Sequence, residues 1–252
     1  MLLPTNDVSE QRNVAFFMPN EAGSHASRIA WAVKPRRIVA GEDRRFDTLV
    51  PLITVIDYRA GNSPSVMYAL RKLGLPARLA ATTAEVAEAE RIILPGVGAA
   101  GATLESLHDS ALVEPLAQRV GEGVPFLGIC IGLQVLFDHS EEGDTDGLGW
   151  LGGSVRRFSD SQRVPQIGWN QVRFARPHPL VAAVPDASHF YFVNSYYAVP
   201  SDPTDTLGLT QYGHEFASIV ARGNIAATQF HAEKSGRVGL RLLENFATWD
   251  GT

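Results

Sequence analysis

The chain has 252 residues, 45% of them hydrophobic and 19% charged, with a formal net charge of -5 and one cysteine. That length suffices for one large α/β domain or two small ones, and the composition is that of a globular chain. The acid excess speaks against nucleic acid as a partner, the lack of a bilayer-length apolar run against a membrane, and the lone cysteine against an internal disulfide or Cys-based zinc site. The cytoplasm is then the default compartment.

Residues 1–50 differ from the rest. Arginines (Arg28, Arg36, Arg37, Arg44, Arg45) mix with acids, Pro, Asn and Ser, and no sustained period appears. The apolar pieces Val14–Met18 and Ile29–Val33 are too short for a signal peptide. We expect a disordered or loosely attached extension there, dispensable for folding and activity, followed by one domain over residues 51–252.

The domain opens with the β-branched run Leu52-Ile-Thr-Val-Ile56, followed by Asp57-Tyr-Arg-Ala-Gly61-Asn62. Ser63 as N-cap and Pro64 in the first turn predict a helix with Val66, Ala69, Leu70 and Leu73 on one face and Gly74 at its end. Ala77–Ala80 reads as a strand, Thr82-Thr-Ala-Glu85 as a capping-box helix start, and Arg91–Leu94 as a third strand. Such alternation predicts parallel βαβ units. Pro95-Gly-Val97-Gly98 follows the third strand, at the edge where open α/β sheets place their sites. Its glycines permit a backbone anion nest, and the same residues also make an ordinary turn. Leu104–Val120 reads as one amphipathic helix closed by Gly121-Glu-Gly123.

Next comes Val124-Pro-Phe-Leu-Gly128-Ile-Cys130-Ile-Gly132-Leu-Gln134, an apolar strand, a tight turn and a helix start running on through Leu133–Phe137. This is the pattern of a nucleophile elbow, in which a Cβ at either flanking position collides with neighbouring backbone. Free N–H groups at the helix start favour a thiolate and can hold an oxyanion. On the elbow alone, nucleophile and inert buried thiol remain equal readings of Cys130.

Ser140–Gly153 reads as an acidic, glycine-rich surface loop without calcium-loop spacing. Beyond it the pattern predicts antiparallel strands at Ser154–Phe158, Val172–Phe174, His189–Val193, Tyr196–Val199, Thr206–Thr210, Ala217–Val220 and Ile225–Phe230. Arg222–Ile225 reads as a tight turn and Val238–Trp249 as a closing helix. Of seven histidines, His231 alone follows a strand end with an acid, Glu233, two residues on. In extended backbone those side chains share a face, so the carboxylate can hold one ring nitrogen and leave the other for a sulfur. The chain order Cys, His, acid excludes an α/β-hydrolase, where the acid precedes the histidine.

These motifs resemble the class I glutamine amidotransferases, and more closely the glutaminase subunits of imidazole glycerol phosphate synthases. The resemblance runs through Ile56–Asn62, Leu94–Gly98, Pro125–Gln134, Ser140–Gly143, Gly147–Gly149, Val164–Asn170, Phe190–Tyr197 and Gln229–Ser235. It implies an α/β fold of three layers, with an open, mixed and mainly parallel flavodoxin-like sheet, flanking helices and an antiparallel C-terminal part. By the same resemblance Cys130, His231 and Glu233 are catalytic, Val97, Gly98 and Ile131 hold the oxyanion, and Gln134 contacts glutamine. No cofactor and no metal are implied. Ammonia passes to a (β/α)8-barrel cyclase subunit in a heterodimer, with Asn62, Trp169, Tyr191 and Lys234 at or near the interface. Three residues depart from the family pattern: Ala232 for proline, Asn194 for histidine and Arg59 for glycine. A cysteine peptidase or amidase, and a binding module without turnover, are the rival functions for the same residues.

Overall fold

The computed structural model describes residues 50–252 except Ala60. The expected extension therefore lies outside the described residues. In chain order the elements are β1 (Ile53–Ile56), α1 (Ser63–Lys72), β2 (Ala77–Ala80), α2 (Thr83–Ala87), β3 (Arg91–Gly96), α3 (Ala100–Asp109), α4 (Val113–Gly121), β4 (Phe126–Cys130) and α5 (Ile131–Gln134). Two-residue strands β5 (His139–Ser140) and β6 (Thr145–Asp146) follow, then β7 (Gly153–Arg157), β8 (Gln166–Phe174), β9 (Ser188–Asn194), β10 (Tyr196–Pro200), β11 (Thr206–Tyr212), β12 (His214–Arg222), β13 (Ile225–Thr228) and α6 (Gly236–Thr248).

The strands form one mixed sheet in the order β2-β1-β3-β4-β13-β12-β10-β7-β5-β6, with β11 on β12 and β8, and β9 on β8. From β2 to β13 the pairs are parallel. Beyond β13 the sheet turns antiparallel, apart from the short β5–β7 pair. The open mixed sheet with flanking helices is the architecture expected, and its parallel part explains the continuous apolar runs. Strands β1, β3, β4 and β13 are buried along their whole length, as strands covered on both faces must be. Parallel register puts Gly96 opposite Cys130 and Gly128 opposite Ala227, so β3, β4 and β13 end together at one edge.

Local chemistry accounts for where the elements differ from expectation. The capping box at Thr82 and Glu85 forms in full. The N-cap position of α1 falls to Asn62 rather than Ser63, which is the helix's first residue, and no side chain bonds its free N–H groups. The single helix expected over Leu104–Val120 is two, broken at Ser110–Leu112 where Ala111 takes φ 53°. Pro115 explains the break, because in a continuous helix its ring would strike the carbonyl of Ala111. Strand β8 begins at Gln166, six residues earlier than expected, and β13 stops at Thr228, two residues short of Phe230. Helix α5 is a single turn instead of a helix running to Phe137, so the elbow has no long helix dipole behind it. Arg59, in place of the family's glycine, holds φ 71°, a left-handed conformation that costs a non-glycine residue about 1 kcal/mol or more. No helix among the described residues is long and apolar enough to cross a membrane.

Candidate active site

Cys130 ends β4 with φ 58° and ψ -106° and serves as the residue before α5. This strained backbone turns the side chain out of the sheet edge, and the surrounding glycines make it possible. A Cβ on Gly128 would stand 2.2 Å from the Gly132 carbonyl oxygen, and one on Gly132 would stand 2.1 Å from that of Leu94. Only glycine fits at either position, because real contacts of this kind do not close below about 3 Å. The tight strand–turn–helix elbow expected from the sequence is therefore present at Cys130.

The thiol donates to the Val193 carbonyl at 3.9 Å and accepts from Gln229 Nε2 at 3.8 Å. His231 and Cys130 line the same cavity of about 350 Å³. His231 Nδ1 is 2.9 Å from Glu233 Oε1, with both side chains buried, which leaves Nε2 as the ring nitrogen free for the sulfur. The spacing works by a route different from the one expected. Ala232–Lys234 form a 3-10 turn rather than extended backbone, and His231 precedes it with φ -85° and ψ 98°. The turn is latched from outside: the His231 N–H donates to the Tyr191 carbonyl at 3.0 Å, Tyr191 N–H to Ser235 Oγ at 3.0 Å, and Ser235 Oγ–H to the His231 carbonyl at 2.7 Å.

Burial by itself pulls the His231 pKa down. The Cys130 sulfur and then the Glu233 carboxylate outweigh it and carry the imidazole up to about 9. The Glu233 contribution has a direct contact behind it, the 2.9 Å approach to Nδ1. Both partners therefore favour the imidazolium form of a ring that shares its cavity with a sulfur on a strained turn.

Val97, Gly98, Ile131, Gln134 and Lys234 line the cavity, as does the unexpected set Glu142, Pro165, Asn194 and Tyr196. Gln134 donates to Gln229 Oε1 at 3.1 Å and to the Tyr196 carbonyl at 3.4 Å. Asn194 donates to the same carbonyl at 3.0 Å. The carbonyl oxygens Gln134 Oε1 and Asn194 Oδ1 are buried without a partner. Glu142 was expected in a surface loop, yet it reaches the cavity while accepting from the Ala100 N–H at 2.7 Å. Gln229, Asn194 and Glu142 carried no local signal of a site beyond falling inside runs that match the family.

Of the four expected interface residues, Trp169 is 57% exposed and packs edge-on to Tyr191 at 5.9 Å. The two face each other across β8 and β9, as do Ile167 and Val193, themselves 62% and 37% exposed. Lys234 is exposed at the cavity rim. Asn62 is half-buried and turns its amide onto Glu233. Among the described residues no group of His, Cys, Asp and Glu gathers as a metal site.

A cysteine on a strained strand end facing a His–Glu pair, in a sheet of this topology, defines a class of protein, and the chain belongs to the class I glutamine amidotransferases. The family described as Glutamine amidotransferase class-I matches residues 54–248. Solved structures share the fold: PurLQS from Thermotoga maritima superposes with a TM-score of 0.64 at 19% identity, over 79% of this chain and 98% of that one. Within the class the chain belongs with the HisH subunits of imidazole glycerol phosphate synthase. It is 47% identical over 195 residues to the HisH subunit of Moorella thermoacetica, covering 77% of this chain and 93% of the relative. To that of Chromobacterium violaceum it is 44% identical over 209 residues, covering 79% and 98%.

Proposed function

We propose that this chain is the glutaminase subunit of imidazole glycerol phosphate synthase, releasing ammonia from glutamine for the cyclase subunit in histidine biosynthesis. One observation carries the reading: Cys130 on its strained turn and His231, backed by the buried Glu233, line one cavity, in a chain that matches HisH subunits over nearly their whole length.

The chemistry follows from the groups. The Cys130 thiolate attacks the side-chain carboxamide carbon of glutamine, and charge moves to the carbonyl oxygen. Backbone N–H groups of Ile131 and of the Val97–Gly98 turn hold that oxyanion; one such donor is worth roughly 2.7–4 kcal/mol in other enzymes. His231 gives its proton to the nitrogen, the C–N bond breaks, and ammonia leaves a γ-glutamyl thioester. Water then attacks the thioester, His231 takes its proton, and the Cys130 thiolate departs to release glutamate. Glu233 keeps Nδ1 engaged so that Nε2 does this work. Gln134 Oε1 and Asn194 Oδ1, buried acceptors without donors, suit the N–H groups of bound glutamine. The exposed Trp169, Ile167 and Val193, with half-buried Tyr191 beside Trp169, adjoin the cavity through Val193 and form the face for a (β/α)8-barrel cyclase in a cytoplasmic heterodimer.

Diazo-oxo-norleucine, a glutamine analogue, tests the assignment. It should label Cys130 and stop glutamate release, while a peptide chloromethyl ketone of similar reactivity should not. Labelling by the peptide reagent alone would point to a peptidase.

A further inference from the structure

Asn62 occupies the N-cap of α1, a position where asparagine ordinarily turns its side chain onto the helix's own N–H groups. Here it makes no such bond, and its backbone, at φ -87° and ψ 43°, lies outside the extended region usual for a cap. Its Nδ2 donates instead to Glu233 Oε1 at 3.0 Å, across 171 residues of sequence. The same oxygen accepts His231 Nδ1 at 2.9 Å, while Glu233 Oε2 is buried with no partner. The carboxylate is thus held at one oxygen by two donors, one from the catalytic imidazole and one from the start of α1. The α1 donor is firmly placed: in the preceding loop, a Cβ on Gly61 would stand 2.9 Å from the Pro95 carbonyl, and Tyr58 OH donates to that carbonyl at 2.8 Å.

We propose that Asn62 is a positioning residue for the catalytic carboxylate, forgoing the helix cap to fix Glu233 where it can orient His231. The proposal presupposes the triad assigned above to Cys130, His231 and Glu233. Without the amide, a buried carboxylate with one empty oxygen has only His231 to hold it, and it can rotate out of line with the ring.

The test uses the full chain with its cyclase subunit, following glutamate release against pH, with thermal melting measured alongside. Asn62→Asp keeps a good capping side chain and adds the charge a helix start favours, but it sets an acceptor against Glu233. We expect it to melt close to the parent and to lose roughly 10- to 100-fold in kcat with little change in KM, the worth of one charge-assisted hydrogen bond. Asn62→Ala should lose about tenfold, with the alkaline limb of the profile moved to lower pH, and Asn62→Gln should recover part of the rate. A parent-like rate for Asn62→Asp, with a lowered melting temperature and an unmoved limb for Asn62→Ala, would reduce Asn62 to a cap and overturn the proposal. Should Asn62→Asp fail to fold, the limb of Asn62→Ala decides. Glu233→Gln separates the two levels: if it also runs like the parent, the triad itself is wrong; if it is crippled while the Asn62 variants are not, only the role of Asn62 falls.

Discussion

His231 Nδ1 stands 2.9 Å from Glu233 Oε1, and the two side chains are only 4% and 1% exposed. Burial opposes the imidazolium, but Cys130 and Glu233 carry its pKa from 6.5 to about 9. A raised pKa adds stability that is fully present below pH 6.5, the unfolded value, and is lost as pH rises through about 9. With protonated His231 as the proposed donor to the leaving nitrogen, glutamate release should fall along a limb near pH 9. In Glu233→Gln the limb should move to lower pH, and the melting temperature should drop more at pH 7 than at pH 10. A limb unmoved by this substitution would detach Glu233 from His231.

The elbow glycines make a steric prediction. Gly132→Ala sets a Cβ 2.1 Å from the Leu94 carbonyl oxygen, where α5 packs against the backbone of β3. We expect a loss of about 3 kcal/mol or more, or roughly 6–12 °C in Tm for a domain of this size. Gly121→Ala, at the end of α4 with nothing within 4 Å of the added carbon, is the control. It should be neutral or gain up to about 1 kcal/mol. Equal melting of the two variants would remove the steric basis of the elbow.

Strain at Cys130 has a signature of its own. Cys130 holds φ 58° and ψ -106°, a conformation open to glycine and costly to any residue with a Cβ, at about 1–3 kcal/mol. Cys130→Gly should therefore melt higher than Cys130→Ala, by roughly 1 kcal/mol after the extra chain entropy of glycine is subtracted. Both variants lack the sulfur, so the comparison isolates the backbone. A Cys130→Ala variant as stable as Cys130→Gly would show that the turn stores no strain.

Trp169 is 57% exposed on the β8–β9 pair, so removing its ring costs the isolated fold little. At the centre of an interface such a ring is worth about 2 kcal/mol or more. We expect Trp169→Ala to melt like the parent and to bind the cyclase subunit roughly 30-fold more weakly, measured by calorimetry. Unchanged affinity would move the docking face elsewhere.

How much of this was legible in the sequence follows the range of each interaction. The parallel strands showed as apolar runs, and the elbow showed through Gly128, Cys130 and Gly132, because both are local patterns. The partnership of His231 with Glu233 was legible from a two-residue spacing, although a 3-10 turn makes the contact rather than extended chain. The break at Ala111 was hidden because the apolar period continues across it, and Pro115 was the overlooked sign. The first half of β8 was missed because its alternation is inverted: Gln166 is buried while Ile167 and Trp169 are exposed, so the apolar side chains mark the outer face. The Asn62–Glu233 bond spans 171 residues, and Gln134–Gln229 spans 95. Contacts of that separation are set by the order of strands in the sheet and leave no trace in local spacing.

Cys130 is proposed to liberate ammonia for a second active site. The most direct test is the Cys130→Ser variant, paired with its cyclase subunit and supplied in turn with glutamine and with an ammonium salt. We expect glutamine-dependent product to disappear and ammonia-dependent product to continue at the parent rate. Equal loss of both, or retention of the glutamine-dependent reaction, would contradict the account.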